Sequence, residues 1–104
     1  MTDGAPSAQF NETIHGAVRL RVCAMLHRLG TTEFRLLRDS LEVSDPTLSK
    51  HLRILQAAGY VDIIKGIVDS RPRTRVQLTE SGRRAFRGHV AFLRTITEAI
   101  TAEP

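Results

Sequence analysis

The sequence predicts an α+β fold, mainly helical, in which two short helices joined by a tight turn precede a two-stranded hairpin and one long last helix. Three observations carry this. Apolar residues recur at three- and four-residue steps near both ends of the chain, in Ile14–Leu29 and Ala85–Ile100. Two leucine-rich helical stretches, Leu36–Leu41 and Asp45–Ala58, are separated only by Glu42, Val43 and a capping serine, Ser44. Between Gly59 and Thr79 a Val/Ile-rich run, a Pro- and Asp-containing turn and a second alternating run follow one another.

Taken in order, Asn11 is placed to cap a first helix, with Glu12 near its positive end. Ile14, Ala17, Val18, Val22, Met25, Leu26 and Leu29 form its apolar face, and Gly30 ends it by accepting left-handed geometry. Leu20, Cys23 and Ala24 fall outside that stripe, so the helix has apolar surface to spare. Thr31–Phe34 suits only a brief strand, and Leu36, Leu37 and Leu41 define a helix of about two turns. Ser44 is the cap of the next helix, Asp45 favours its start, and Pro46 is tolerated in its first turn. That helix runs through Leu48, Leu52 and Leu55 to Ala58, where Gly59 stops it. A short helix, a turn of about three residues and a strongly capped second helix form a helix-turn-helix. Tyr60–Ile67 reads as a strand, Val68–Arg73 as the hairpin tip and Thr74–Leu78 as the returning strand. Thr79 caps the last helix, whose apolar residues are Ala85, Phe86, Val90, Leu93, Ile96 and Ile100.

With 104 residues the chain makes one domain with a modest core. Residues 1–9 are expected to be a disordered leader and residues 10–104 the folded domain, because Met1–Gln9 is polar and has neither the basic start nor the apolar stretch of a signal peptide. No apolar run approaches the roughly 18 residues of a membrane span, so no membrane partner is expected. A single cysteine, Cys23, excludes an internal disulfide and fits a reducing cytoplasm. The net charge is +4, and its distribution says more than its size. From Lys65 to Arg94 eight basic residues face only Asp69 and Glu80, a local field that favours a polyanionic partner.

The helix that begins at Asp45 carries the sharpest signal. Turning Leu48, Leu52 and Leu55 toward the core puts Pro46, Lys50, Arg53 and Ala57 on the opposite side. Thr47 and Ser49 flank that side, and His51 sits at its border with the core. Short hydroxyls and a lysine in the first turns are what a helix needs to approach base edges closely. In the hairpin, Arg71, Arg73 and Arg75 alternate and would share one face if the strand extended that far, with Pro72 stiffening the tip. Such a loop suits phosphate or minor-groove contacts, and Lys65 adds another cation.

The stretch SDPTLSKHLRILQAAGYV, followed by RPRTRVQLTESGRRAF, resembles the winged-helix transcriptional regulators of bacterial type related to the MarR and ArsR families. The similarity extends to ETIHGAVRLRV in the first helix and so covers roughly residues 10 to 95. It implies a homodimer on a near-palindromic duplex site, with Thr47, Ser49, Lys50 and His51 near bases and Arg71–Thr74 as the wing. The expected DNA-binding set is therefore Ser44, Thr47, Ser49, Lys50, His51, Arg53, Lys65, Arg71, Arg73, Thr74 and Arg75. Arg35, Glu42 and Gly16–Ala17 depart from the family's usual Ser/Thr cap, turn Gly and first-helix Pro. Those departures bear on local stability; Glu42 in particular is expected to carry backbone strain.

The dimer has an independent argument. Phe86, Val90, Leu93, Ile96 and Ile100 form a stripe longer than a small domain can cover, and with Leu20 and Ala24 they give the expected dimer interface. An unidentified small-molecule effector, where one exists, is expected at that interface. No cofactor or metal is expected: Cys23 and His27 are an i, i+4 pair, but two ligands do not make a site. No nucleophile with a base and orienting group stands out, so the chain does not read as an enzyme. The expected function is that of a repressor that binds a specific DNA sequence. The rival reading is a protein-interaction module whose basic hairpin docks an acidic partner.

Overall fold

The computed structural model describes residues 7–101, so residues 1–6 of the expected leader lie outside the described residues. The elements are α1 (Ala17–Leu29), β1 (Thr32–Glu33), α2 (Phe34–Leu41), α3 (Asp45–Ala57), β2 (Val61–Val68), β3 (Arg71–Leu78) and α4 (Glu80–Thr101). The three strands form one antiparallel sheet in the order β1-β3-β2. The helices pack on it around a core built from Val22, Cys23 and Leu26 of α1, Leu37 and Leu41 of α2, and Leu48, Leu52 and Leu55 of α3. Ile14 of the turn before α1, Val61, Val76 and Leu78 of the sheet and Phe86 of α4 complete it. Burying each of these leucines is worth about 1.5–3 kcal/mol, which is why the spacing of Leu48, Leu52 and Leu55 fixes the rotation of α3.

The caps act largely as their residue types dictate. Ser44 Oγ accepts from the Thr47 N–H at 3.3 Å, and Pro46 lies in the first turn of α3. Gly59, at φ 82°, closes α3 with two reversed bonds: Gly59 N–H donates to Gln56 O and Tyr60 N–H to Leu55 O, both at 2.9 Å. Thr79 Oγ1 accepts from the Gly82 N–H at 2.9 Å and donates to Gly59 O at 2.7 Å, which ties the start of α4 to the end of α3. Glu42 adopts φ 55°, ψ 48°, the left-handed conformation that the turn demands and that costs a non-glycine residue about 1–2 kcal/mol. Arg35 does not cap α2; Glu33 precedes that helix without a side-chain cap, and Arg35 lies 3.4 Å from its carboxylate.

Two expectations are corrected. Asn11 caps only a single turn, its Oδ1 accepting from Ile14 N–H at 2.9 Å, and α1 proper starts at Ala17 after Gly16. The local chemistry is that of a helix cap in either case, so the sequence did not separate the two. The hairpin tip is Asp69–Ser70 alone, both residues at positive φ (52° and 64°), rather than Val68–Arg73. Two left-handed residues match the twist of the flanking strands, so the strands extend to the turn. Pro72 therefore lies within β3, opposite Ile67 and one step from the closing Val68–Arg71 pair. Pairs in an antiparallel ladder alternate, so the nitrogen of Pro72 faces away from β2 and no ladder bond is lost. Ser7–Phe10 run along α4, with Gln9 N–H donating to Gly88 O at 3.0 Å.

The same N-terminal segment closes over a pair of imidazoles. His89 of α4 is fully buried, yet Asn11 N–H donates to its Nδ1 at 3.0 Å and its Nε2 lies 3.1 Å from His15 Nδ1. Phe10 packs against both rings and against Phe92. Because Asn11 N–H occupies Nδ1, neutral His89 carries its proton on Nε2 and donates it to His15. Burial, and then the neighbouring His15, hold the His89 pKa below the usual imidazole value. The folded state thus takes up a proton less readily than the unfolded chain. Stability is full above about pH 6.5 and declines as pH falls below it. Thermal melts between pH 7.5 and 5 should show that decline, and the His89 ring should titrate below 6.5. An NMR midpoint at or above 6.5 would contradict the arrangement.

Candidate nucleic-acid interface

The face of α3 turned away from the core is exposed at Lys50, Arg53 and Ala57, with Thr47 and Ser49 half-buried beside it. Ser44 Oγ donates to Thr47 Oγ1 at 3.0 Å, so the Thr47 hydroxyl keeps its own proton for an outside acceptor. Arg38 of α2 bridges the turn, its Nε 2.9 Å from Asp39 and its Nη1 3.1 Å from Asp45. These bonds raise the Arg38 pKa, and the same guanidinium lowers that of Asp39. The bridge is exposed and contributes little stability; it links the end of α2 to the first residue of α3.

Ser49, Arg53 and Gln56 form one wall of a groove whose other wall is Lys65 and Thr74 of the hairpin. Leu52, Phe34 and Ile63 also line it. The ladder explains the grouping. Lys65 is paired with Thr74, and Thr74 shares a strand face with buried Val76 and Leu78. Arg71, Arg73 and Arg75 occupy the alternate positions of β3 and hence the other face of the wing. The sequence-predicted residues therefore fall into two sets: a groove of Ser49, Arg53, Lys65 and Thr74, and a row of three arginines behind it. Gln56 was not predicted, although it lies one turn beyond Arg53 and seven residues from Ser49, a spacing that shares a helix face.

His51 stands apart from both sets. It is half-buried, and Arg19 of α1 places Nη1 2.9 Å from its Nδ1. Burial, then the charges of Arg19 and Lys50, lower its pKa. Nothing in the local sequence pointed to Arg19, because the contact spans 32 positions.

The expected dimer residues also separate. Phe86 is a core residue, only 8% exposed and with its ring centroid 5.2 Å from that of His27, so it is removed from the free stripe. Leu20 and Val90 pack partly on the core of their own chain. Ala24 is exposed, Leu93 half-buried, and Ile96 and Ile100 remain 46% and 66% exposed. From Arg94 to Thr101 every residue of α4 is exposed. Cys23 is fully buried, which pushes its thiol up to about 12, with Arg19 opposing; a thiol held protonated in this way is a packing residue. Among the described residues no helix is long and apolar enough to cross a membrane.

A helix-turn-helix, a groove lined by hydroxyls and cations, and an arginine-bearing hairpin define a winged-helix DNA-binding regulator. The family model of the winged helix DNA-binding domain matches residues 18–97, and the chain belongs to that family. An uncharacterised protein of Methanocaldococcus jannaschii is 32% identical over 76 residues, which cover 73% of this chain and 83% of that protein. The solved structure of a transcriptional regulator homologue from Pyrococcus horikoshii is 26% identical. It superposes with a TM-score of 0.82 over 86% of this chain and 89% of its own. The M. tuberculosis transcriptional regulator MosR, solved in complex with DNA, shares the fold at 23% identity and a TM-score of 0.68, over 88% of this chain and 65% of its own.

Proposed function

We propose that the protein is a homodimeric repressor that binds a near-palindromic operator and blocks transcription from it. The observation that carries this is the exposed, conformationally fixed face of α3, with its small hydroxyls and Lys50, set beside a wing whose outer face bears three arginines. Thr47, Ser49, Lys50 and His51 would read bases; Ser44, Arg53, Lys65, Arg71, Arg73, Thr74 and Arg75 would hold phosphates and register. That MosR was solved with DNA on this fold supports the same reading. The exposed end of α4, with Leu93, Ile96 and Ile100 on one stripe and Ala24 of α1, supplies the surface for a second copy. Two copies would set their recognition helices about 34 Å apart, one turn of the duplex. An effector, where one exists, would bind at the junction of the two copies.

Mobility shifts on the DNA upstream of the protein's own coding sequence, at several salt concentrations, test the proposal together with sedimentation of the free protein. A dimer is expected, with one footprint of two half-sites and affinity that falls steeply with salt. A monomer that retains no preference for any fragment would instead favour the hairpin as a docking surface for an acidic protein.

A further inference from the structure

The contact between α1 and the recognition helix gives one side chain outside the expected DNA surface a part in reading it. Arg19 uses two of its donors at once. Its Nε donates to Thr13 O at 2.6 Å, which anchors the guanidinium to the turn before α1, and its Nη1 lies 2.9 Å from His51 Nδ1. A guanidinium has no acceptor and does not give up its proton, so only one assignment of that second bond is consistent. His51 Nδ1 is the acceptor; the ring is neutral, and its one proton sits on Nε2. The same bond fixes the rotation of the ring, because it is held from a second helix whose own position is set by the core.

We infer that Arg19 is a positioning residue for DNA reading: it locks His51 as a neutral, Nε2-protonated donor aimed at an acceptor such as a guanine N7 or a phosphate oxygen. This rests on the proposed role of α3 as the recognition helix. The charged groups that act on the ring are Arg19, from α1, and Lys50, on α3 itself; both are cations and both oppose a second positive charge there. Without Arg19, His51 would sample both tautomers, would protonate more readily, and could present an acceptor where the site calls for a donor. A tautomer locked in advance lowers the ordering cost of contact and discriminates against bases that offer a donor at that point.

The first test needs neither a variant nor DNA. Long-range nitrogen–proton NMR of the wild-type ring should show the Nε2–H tautomer and a midpoint below about 6.5. An Nδ1–H ring, or a midpoint at or above that value, overturns the inference whatever the DNA result. In Arg19→Met, and separately in Arg19→Gln, mixed tautomers and a raised midpoint are expected, and DNA affinity should become pH-dependent between pH 5.5 and 7.5. His51→Gln, whose amide donor reaches about as far as Nε2, should retain the preferred sequence, whereas His51→Asn should lose it. In a His51→Ala background Arg19→Met should cost no further discrimination between preferred and mismatched sites. A further tenfold loss there would mean that Arg19 touches DNA directly and does not act through His51. A wild-type ring that behaves as expected in a protein that binds no DNA would instead count against the recognition-helix reading.

Discussion

Replacing Gly82 by alanine is expected to lower stability by about 3 kcal/mol or more, a loss of at least about 10 °C in melting temperature for a domain of this size. The position lies in the first turn of α4, where helix propensity alone would favour alanine by about 1 kcal/mol. Packing reverses that sign. A Cβ there would fall inside the contact distance of the Tyr60 carbonyl oxygen, 2.9 Å from its carbon and 3.1 Å from Leu78 Cδ2. Two of these neighbours are backbone atoms, and neither can swing aside. Tyr60 O is already the acceptor for Thr79 N–H at 2.9 Å, and Tyr60 N–H closes the end of α3. Moving α4 away would therefore strain the junction that holds α3 to the sheet, and the Thr79 cap with it. Thermal or urea unfolding of Gly82→Ala measures the effect. A variant as stable as the parent would mean that the two segments do not meet as described. Gly30→Ala is a useful comparison, since no atom lies near its would-be Cβ and only its φ of 78° opposes the change.

That contact also shows where sequence reasoning reaches and where it stops. The helix-turn-helix was legible because its signals are local: Ser44, Asp45 and Pro46 lie next to one another, and the leucines of α3 repeat at the helical period. The two faces of the wing were legible in principle, since alternation fixes them once the strand length is known. The strand length was misjudged because Pro72 reads as a turn residue until its place in the ladder is seen. Gly82 offered no such clue; a glycine near a helix start suggests flexibility, and the carbonyl that requires it lies in another element. His15 with His89 and Arg19 with His51 are joined across 74 and 32 positions. Those pairings depend on how α1 and the turn before it pack against α3 and α4, which no periodicity records. The dimer stripe was over-read for a related reason: helical spacing groups Phe86 with Ile96 and Ile100, but only the fold shows that the core reaches as far as Phe86 and stops before Arg94.

The triple variant Arg71→Ala, Arg73→Ala, Arg75→Ala should weaken DNA binding by about a hundredfold or more near physiological salt while leaving the melting temperature within a few degrees. The stability expectation follows from placement: the three side chains lie on the outer face of β3, where Arg71 and Arg75 are exposed, and none makes an ion pair or side-chain hydrogen bond among the described residues. The binding expectation follows from counter-ion release. Each phosphate neutralised contributes about 0.9 to the slope of log affinity against log salt, so losing three contacts should flatten that slope by roughly 2.7 for each copy bound. Slope and affinity together separate two roles that affinity alone confuses. Arginines that only grip phosphate lower the slope and weaken every sequence equally. An arginine inserted in a narrow minor groove also changes the preference for A·T-rich flanks, because groove width is a property of sequence. Lys65→Ala provides the control from the opposite face of the wing, where the side chain lines the groove with Ser49 and Arg53. If the triple variant left the slope unchanged and Lys65→Ala reduced it, the duplex would have to lie against the groove with the arginine row turned away from it.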